Sequence, residues 1–324
     1  LVGLYNKFGF VRRSANSTDS TRSFADGLIG LLTGIKNVKV SFLQNKGTFL
    51  PGYLPKTTYL GIDNVTGAPG FGFVFGGLAT FGQRPFLTEP AQLDEWQPDV
   101  AIVGAPYDNS TTNRPGARFG PRAIRSQAYE PGSYHMDLGI EIFDYLEVVD
   151  FGDAYCPHGQ TDVSLANIKA RVGEIASRGI IPITLGGDHS ITWPAATAVA
   201  EVKGFGNVGM VHFDAHADTA DILYGNLASH GTPMRRLIES GAIPGKNFVQ
   251  VGLRGYWPPK EIFDWMREQG MRWHTMDEIW QRGFQAVMKD AISEALSTAV
   301  AFLQLTLGAV WSETVTVAVQ VLVL

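Results

Sequence analysis

Two hydrophobic rhythms alternate along the middle of the chain. Short apolar-rich runs at Val100–Gly104, Tyr145–Asp150, Ile180–Leu185, Val208–Phe213 and Phe248–Leu253 predict strands buried on both faces. Between them, Val163–Arg178 places Leu165, Ile168, Val172 and Ile175 at helical spacing, with Gly179 positioned to end the helix. Trp193–Val202, Thr232–Ser240, Pro259–Gln269 and Phe284–Leu296 read as further helices, and Pro121 opens another in PRAIRSQAY. Strand–helix alternation predicts a mainly parallel sheet covered by helices on both faces, that is, an α/β fold. In such sheets functional residues gather at the carboxyl ends of the strands.

The flanks break this rhythm and predict three segments. Residues 1–77 hold eight Lys or Arg against three Asp, a net +5, and contain no Glu, His or Trp. Their Gly, Ser, Thr and Asn content suggests turns, short strands or poor order. Residues 78–296 carry the alternating pattern and all seven histidines. Residues 297–324 hold one charge, Glu313, and end in TVTVAVQVLVL, a β-branched run that aggregates if exposed. No internal repeat is visible.

Composition narrows the classes. The whole chain has 324 residues, 45% of them hydrophobic and 18% charged, as in a soluble globular protein. A net charge of −5 gives no reason to expect a nucleic acid or an anionic membrane as partner. The longest apolar stretch near the end, Ala299–Val310, is too short for a membrane helix and includes Gln304 and Thr306. Cys156 is the only cysteine, which excludes an internal disulfide and suits a reducing, cytoplasmic setting. A surface or membrane-associated protein would rest on residues 1–77 alone.

The chemistry concentrates in two motifs. DAHAD at 214–218 presents Asp214, His216 and Asp218 at a spacing of two, which on an extended chain aims all three to one side. GGDHS at 186–190 adds His189 after two glycines that would let the backbone turn sharply. A lone histidine there would be read as an ordinary hydrogen-bonding residue; two carboxylates and two imidazoles at strand ends favour a metal such as Mn²⁺ or Ni²⁺. His212 shares this strand face one pair further back and is expected to pack behind the ligands. Asp188 is left outside the ligand set. His158 and His274 are expected on loops or the surface.

Together with SHGTPMR at 229–235, VGAPYDNSTTNRPGARFGPRAIR at 103–125 and FGD at 151–153, these motifs resemble the ureohydrolases, the arginase and agmatinase family, over residues 79–296. The TTNRPGARFGPRAIR stretch looks closest to the agmatinase and guanidinobutyrase branch. The resemblance implies a three-layer α/β/α sandwich around a mainly parallel sheet, assembled as a homo-trimer or hexamer. It implies a site for two Mn²⁺ (Ni²⁺ being the alternative). His189 and Asp218 would bind the first ion, His216 the second, and Asp214 would bridge both and serve catalysis. His230 would match the family's proton-shuttling histidine. The implied reaction cleaves a small guanidino substrate such as agmatine to urea and an amine. Asn109, Arg114 and His135 are candidate substrate contacts.

The resemblance stops short at the C-terminal end. The family continues with a strand carrying a second aspartate pair and later a substrate-recognising glutamate. Residues 297–324 contain no Asp at all. The fold is therefore expected to be incomplete there, to lose sheet strands beyond Phe248–Leu253, and to hold its second ion weakly. The alternative is a catalytically defective or non-catalytic chain of this family, arising by truncation, frameshift or chimerism.

Overall fold

A computed structural model describes residues 78–128 and 132–296, together with the backbone of two strands at 303–307 and 317–321. The expectations for residues 1–77 lie outside the described residues. Ten strands and eight α-helices are described. The strands are β1 (Val100–Ala105), β2 (Tyr134–His135), β3 (Ile140–Glu141), β4 (Val148–Asp153), β5 (Ile181–Gly186), β6 (Met210–Phe213), β7 (Phe248–Leu253), β8 (Arg272–Thr275), β9 (Leu303–Leu307) and β10 (Val317–Val321). The helices are α1 (Pro90–Trp96), α2 (Gly120–Gln127), α3 (Thr161–Ala176), α4 (Thr192–Lys203), α5 (Pro233–Glu239), α6 (Lys260–Glu268), α7 (Met276–Arg282) and α8 (Phe284–Leu296).

The sheet is parallel in two blocks, ordered β4–β1–β5 and β6–β7–β8. Burial on both faces makes it a three-layer sandwich. Ala101, Val103 and Ala105 of β1 join the core that holds Ile168 and Val172 of α3, whereas Val100 and Ile102 face the opposite side with Ile124 of α2. In β7, Phe248 faces the first core, and Val249 and Val251 meet Val287 and Ala291 of α8 on the other. Each fully buried Val, Ile or Phe side chain among these contributes about 1.5–3 kcal/mol. The helical spacing read in α3 buries Leu165, Ile168, Val172 and Ile175, and Gly179 beyond its end takes a φ of +75°.

Two expectations about the sheet need correction. It does not end at β7: β8 adds a parallel strand whose sequence, RWHT, disguises it with charged and aromatic side chains. His274 on β8 is buried, not on a loop or at the surface, and its Nδ1 lies 3.1 Å from the Glu278 carboxylate. In the tail, β9 and β10 pair antiparallel. β10 runs alongside β5 and β9 alongside β6, so this hairpin lies between the two parallel blocks.

A buried ion network explains two of the upstream motifs. Arg125 of α2 donates Nε to Asp150 Oδ2 at 2.7 Å and Nη2 to Asp150 Oδ1 at 2.9 Å, and its Nη1 reaches Asp153 Oδ1 at 2.5 Å. The RAIR and FGD segments thus lock α2 to β4.

Candidate metal centre

β5 and β6 end near one another, and the two motifs start where they stop. Gly187 is needed for room, not for an unusual φ. A Cβ there would lie 2.4 Å from the Tyr107 carbonyl oxygen and 2.5 Å from that of Ala105, both backbone atoms that cannot yield cheaply. The chain then enters a short 3₁₀ turn, His189–Ile191, capped by Asp188, whose Oδ1 accepts from Ser190 N at 2.9 Å. This cap, with Ser110 N donating to Oδ2 at 3.0 Å, gives each oxygen of the Asp188 carboxylate a backbone donor.

DAHAD is not a strand. β6 stops at Phe213, and residues 214–218 form a bend tied down by Asp214 N donating to Val251 O and Arg254 N donating to Ala215 O. The two-residue spacing therefore does not aim all three side chains one way. Asp218, at φ +49°, adopts a left-handed conformation unusual for a residue with a side chain, and is turned back toward His189. Asp218 Oδ2 lies 2.5 Å from His189 Nδ1, and Asp214 Oδ2 lies 3.7 Å from the same atom. His216 stands on the other side of Asp214, its Nδ1 3.9 Å from Oδ1, with a side chain 38% exposed. The two oxygens of Asp214 thus face different histidines.

His212 is closer to this group than its place in the strand suggested. Its Nε2 is 3.4 Å from Asp214 Oδ2, and its ring stacks on that of His189 at 4.9 Å. His189, His212 and Asp214 offer donor atoms all within 4.8 Å of one another, the metal-competent group among the described residues.

Electrostatics favour the charged form at His189 and Asp214. Burial pulls His189 toward the neutral form, but the hydrogen-bonded Asp218 and the charges of Asp218, Asp214 and Asp188 outweigh it and raise its pKa. Burial would raise Asp214, but His212, His189 and the His216 N–H hold it below the usual carboxylate range. Burial pushes Asp188 up and pushes His212 down.

The residues fit a divalent ion. Donor atoms sharing an ion at about 2.1 Å stand roughly 2.5–4.2 Å apart, which covers the His189–Asp218 and His189–Asp214 separations. The Nε2 atom of His189 is buried without a hydrogen-bond partner, an expensive arrangement for an ordinary core. Hard carboxylate oxygens mixed with imidazole suit Mn²⁺ or Ni²⁺.

Residues 107–118 and 229–230 meet beside the centre through Ser110. Its carbonyl accepts from His230 Nδ1 at 2.8 Å, its Oγ donates to Ala228 O at 2.7 Å, and Tyr107 Oη is 2.9 Å from Oγ. A carbonyl can only accept, so His230 carries a proton on Nδ1. Asn109 Oδ1 accepts from Arg118 Nη2 at 3.0 Å, Arg114 is exposed, and His135 is exposed on β2 with Nδ1 accepting from Leu138 N at 3.3 Å. Exposed His158 pairs instead with Arg118, 3.1 Å from Nη1. Sequence reasoning missed Ser110 and Gln250, since each is tied to the site only through partners far along the chain.

The class that this fold and centre define is one in which a parallel sheet carries a carboxylate–imidazole metal site at its strand ends. The chain belongs to the arginase family, whose model matches residues 98–306, ten residues into the apolar tail. It is 39% identical over 216 residues to a guanidinobutyrase of Pseudomonas aeruginosa, covering 67% of this chain and 66% of that protein. It is 40% identical over 217 residues to a mitochondrial agmatinase of Gallus gallus, covering 65% and 63%. The chain therefore spans just under two thirds of the length of these relatives. Among solved structures, proclavaminate amidino hydrolase from Streptomyces clavuligerus superposes with a TM-score of 0.63 at 33% identity, covering 71% of this chain and 74% of that one. A Trypanosoma cruzi formiminoglutamase solved with Mn²⁺ gives 0.57 at 25% identity, covering 61% and 67%. No helix among the described residues is long and apolar enough to cross a membrane.

Proposed function

We propose that this chain is a metal-dependent hydrolase of guanidino compounds, releasing urea and an amine. The observation that carries the proposal is the divided Asp214 carboxylate, with Oδ2 toward His189 and Oδ1 toward His216. His189, Asp214 and Asp218 would hold one ion, and His216 with Asp214 a second, Mn²⁺ or Ni²⁺ by donor type. When bound, such a pair supplies a hydroxide nucleophile near neutral pH.

The protein's own residues do the rest. A guanidinium carbon is a poor electrophile because its charge is delocalised, so the carbon must be held against the nucleophile. Attack gives a tetrahedral species on the substrate, and its C–N bond breaks only if the departing nitrogen gains a proton. His230 would deliver it, with Nδ1–H held by the Ser110 carbonyl and Nε2 left to carry the mobile proton. The relatives' names share the guanidino or amidino group and differ in what it is attached to, so the substrate class is proposed at that level, with agmatine the first to test. A homo-oligomer, trimer or hexamer, is proposed from the same relationship.

A second reading is favoured by one observation. Residues 297–324 contain no Asp, which leaves Asp214, Asp218, His189 and His216, among the described residues, as the proposed ligands for two mutually repelling cations. Each would want about five or six ligands. A non-catalytic member of the family would follow if the second ion did not bind. Urea release from agmatine and 4-guanidinobutyrate with added Mn²⁺ or Ni²⁺ tests the first reading; no turnover on either, with one ion per chain, establishes the second.

A further inference from the structure

Gln250 on β7 and His212 on β6 are register partners in the sheet beneath the metal centre, and both are fully buried. Gln250 Nε2 lies 2.6 Å from the Ala217 carbonyl oxygen and 3.0 Å from His212 Nδ1. A carbonyl oxygen only accepts, so it fixes which end of the amide faces it: the nitrogen, not the oxygen. One amide proton goes to Ala217, and the other points at His212 Nδ1, which must answer with a lone pair. A neutral His212 then carries its proton on Nε2, the atom 3.4 Å from Asp214 Oδ2.

This matters because distance alone does not distinguish the two stacked histidines. His189 and His212 both present nitrogen atoms to Asp214 within the same 4.8 Å group. An imidazole nitrogen that bears a proton has no lone pair in the ring plane with which to bind a metal. We propose that Gln250 sets the tautomer of His212, turning its Nε2 into a proton donor toward Asp214 and excluding it from the metal's ligands. His189 is thereby selected as the ligand of the pair. Gln250 and His212 are positioning residues: one fixes a proton, the other steadies the carboxylate shared between the two histidine sides. The consequence for metal rests on the proposed function; the tautomer does not.

The test uses the full-length chain labelled with ¹⁵N in its histidine rings. Long-range ¹H–¹⁵N correlation without metal is expected to show His212 with a pyrrole-type Nε2 and a pyridine-type Nδ1. The signal is assigned by its loss in His212→Asn, or by backbone-linked triple resonance if that variant does not fold. The reverse pattern overturns the proposal. In Gln250→Met, which keeps the volume and removes the amide, His212 is expected to populate both tautomers, and Mn²⁺ affinity to fall about 10–100-fold. Retention of the wild-type tautomer, or a changed tautomer with unchanged Mn²⁺ affinity, overturns it. If Gln250→Met does not fold, the wild-type spectrum alone decides. Absence of urea release or of Mn²⁺ binding in the wild type would instead defeat the proposed function and leave the tautomer result standing.

Discussion

His189 Nδ1 and Asp218 Oδ2 stand 2.5 Å apart although 29 residues separate them and they follow different strands. The pairing requires Asp218 to hold a left-handed φ of +49°, a conformation that costs roughly 1–2 kcal/mol outside glycine. Strain of this kind persists where the surroundings over-determine it, and it clusters at functional sites. Asp218→Asn keeps the shape and removes the charge. It should lower Mn²⁺ affinity by more than about 100-fold, beyond the usual effect of a residue behind the ligands. Its melting temperature in the absence of metal should also fall, because buried His189 loses its charged partner. Isothermal titration alongside thermal unfolding checks both.

Gly187→Ala should destabilise the chain by about 1–3 kcal/mol or more, because the new methyl meets two backbone oxygens rather than a side chain that can swing away. Gly225 offers the control: its φ is +79° but a Cβ there meets nothing within 4 Å, so alanine should cost only about 1 kcal/mol. Urea unfolding of the two variants separates crowding from backbone strain.

Arg125→Met should cost about 3–5 kcal/mol, because it leaves the Asp150 carboxylate buried without its cation. Asp150→Asn in the same background should recover part of that loss. A double-mutant cycle by urea unfolding gives the coupling.

The loop at residues 109–118 is held by Asp108, whose buried carboxylate accepts from Arg118 Nε at 2.5 Å and from Gly116 N at 2.6 Å. Burial would raise its pKa, but Arg118 and the backbone N–H groups outweigh this and leave it lowered. A carboxylate with a lowered folded-state pKa contributes stability above its unfolded value of about 3.9, and loses it as pH falls through the folded value. Asp108→Asn should therefore be less stable than the wild type by about 1–3 kcal/mol at pH 7, and the two should converge below pH ~3.9. Unfolding free energies measured across that range decide it.

Cys156 is half-buried, and burial, helped by Asp153, pushes its thiol up to about 12. The thiolate fraction at pH 8 is then negligible, and thiolate is the reactive form. Reaction with a disulfide reagent at pH 8 should be slow in the folded chain and fast in denaturant; equal rates would contradict this environment.

Much of this architecture was legible in the sequence, and the exceptions have physical causes. Periodicity located β1, β5, β7 and the long helix α3 because their apolar residues face cores on a fixed period. The strand read at Tyr145–Asp150 begins later, at Val148, since Tyr145 and Leu146 are exposed ahead of it. β8 escaped notice because only His274 of its four residues is buried. The metal motifs were recognisable as residue types, whereas their directions were not. The bend at 214–218 depends on contacts to Val251 and Arg254, and the proton on His212 depends on Gln250, 38 residues away. No local pattern encodes such partners.

Mn²⁺ stoichiometry by equilibrium dialysis of the full chain tests the metal centre most directly. The two-sided arrangement around Asp214 predicts one tightly held ion lost in His189→Ala. It also predicts a second, at least about tenfold weaker, lost selectively in His216→Ala. Binding that survives both substitutions, or no binding to the wild-type chain, would contradict it.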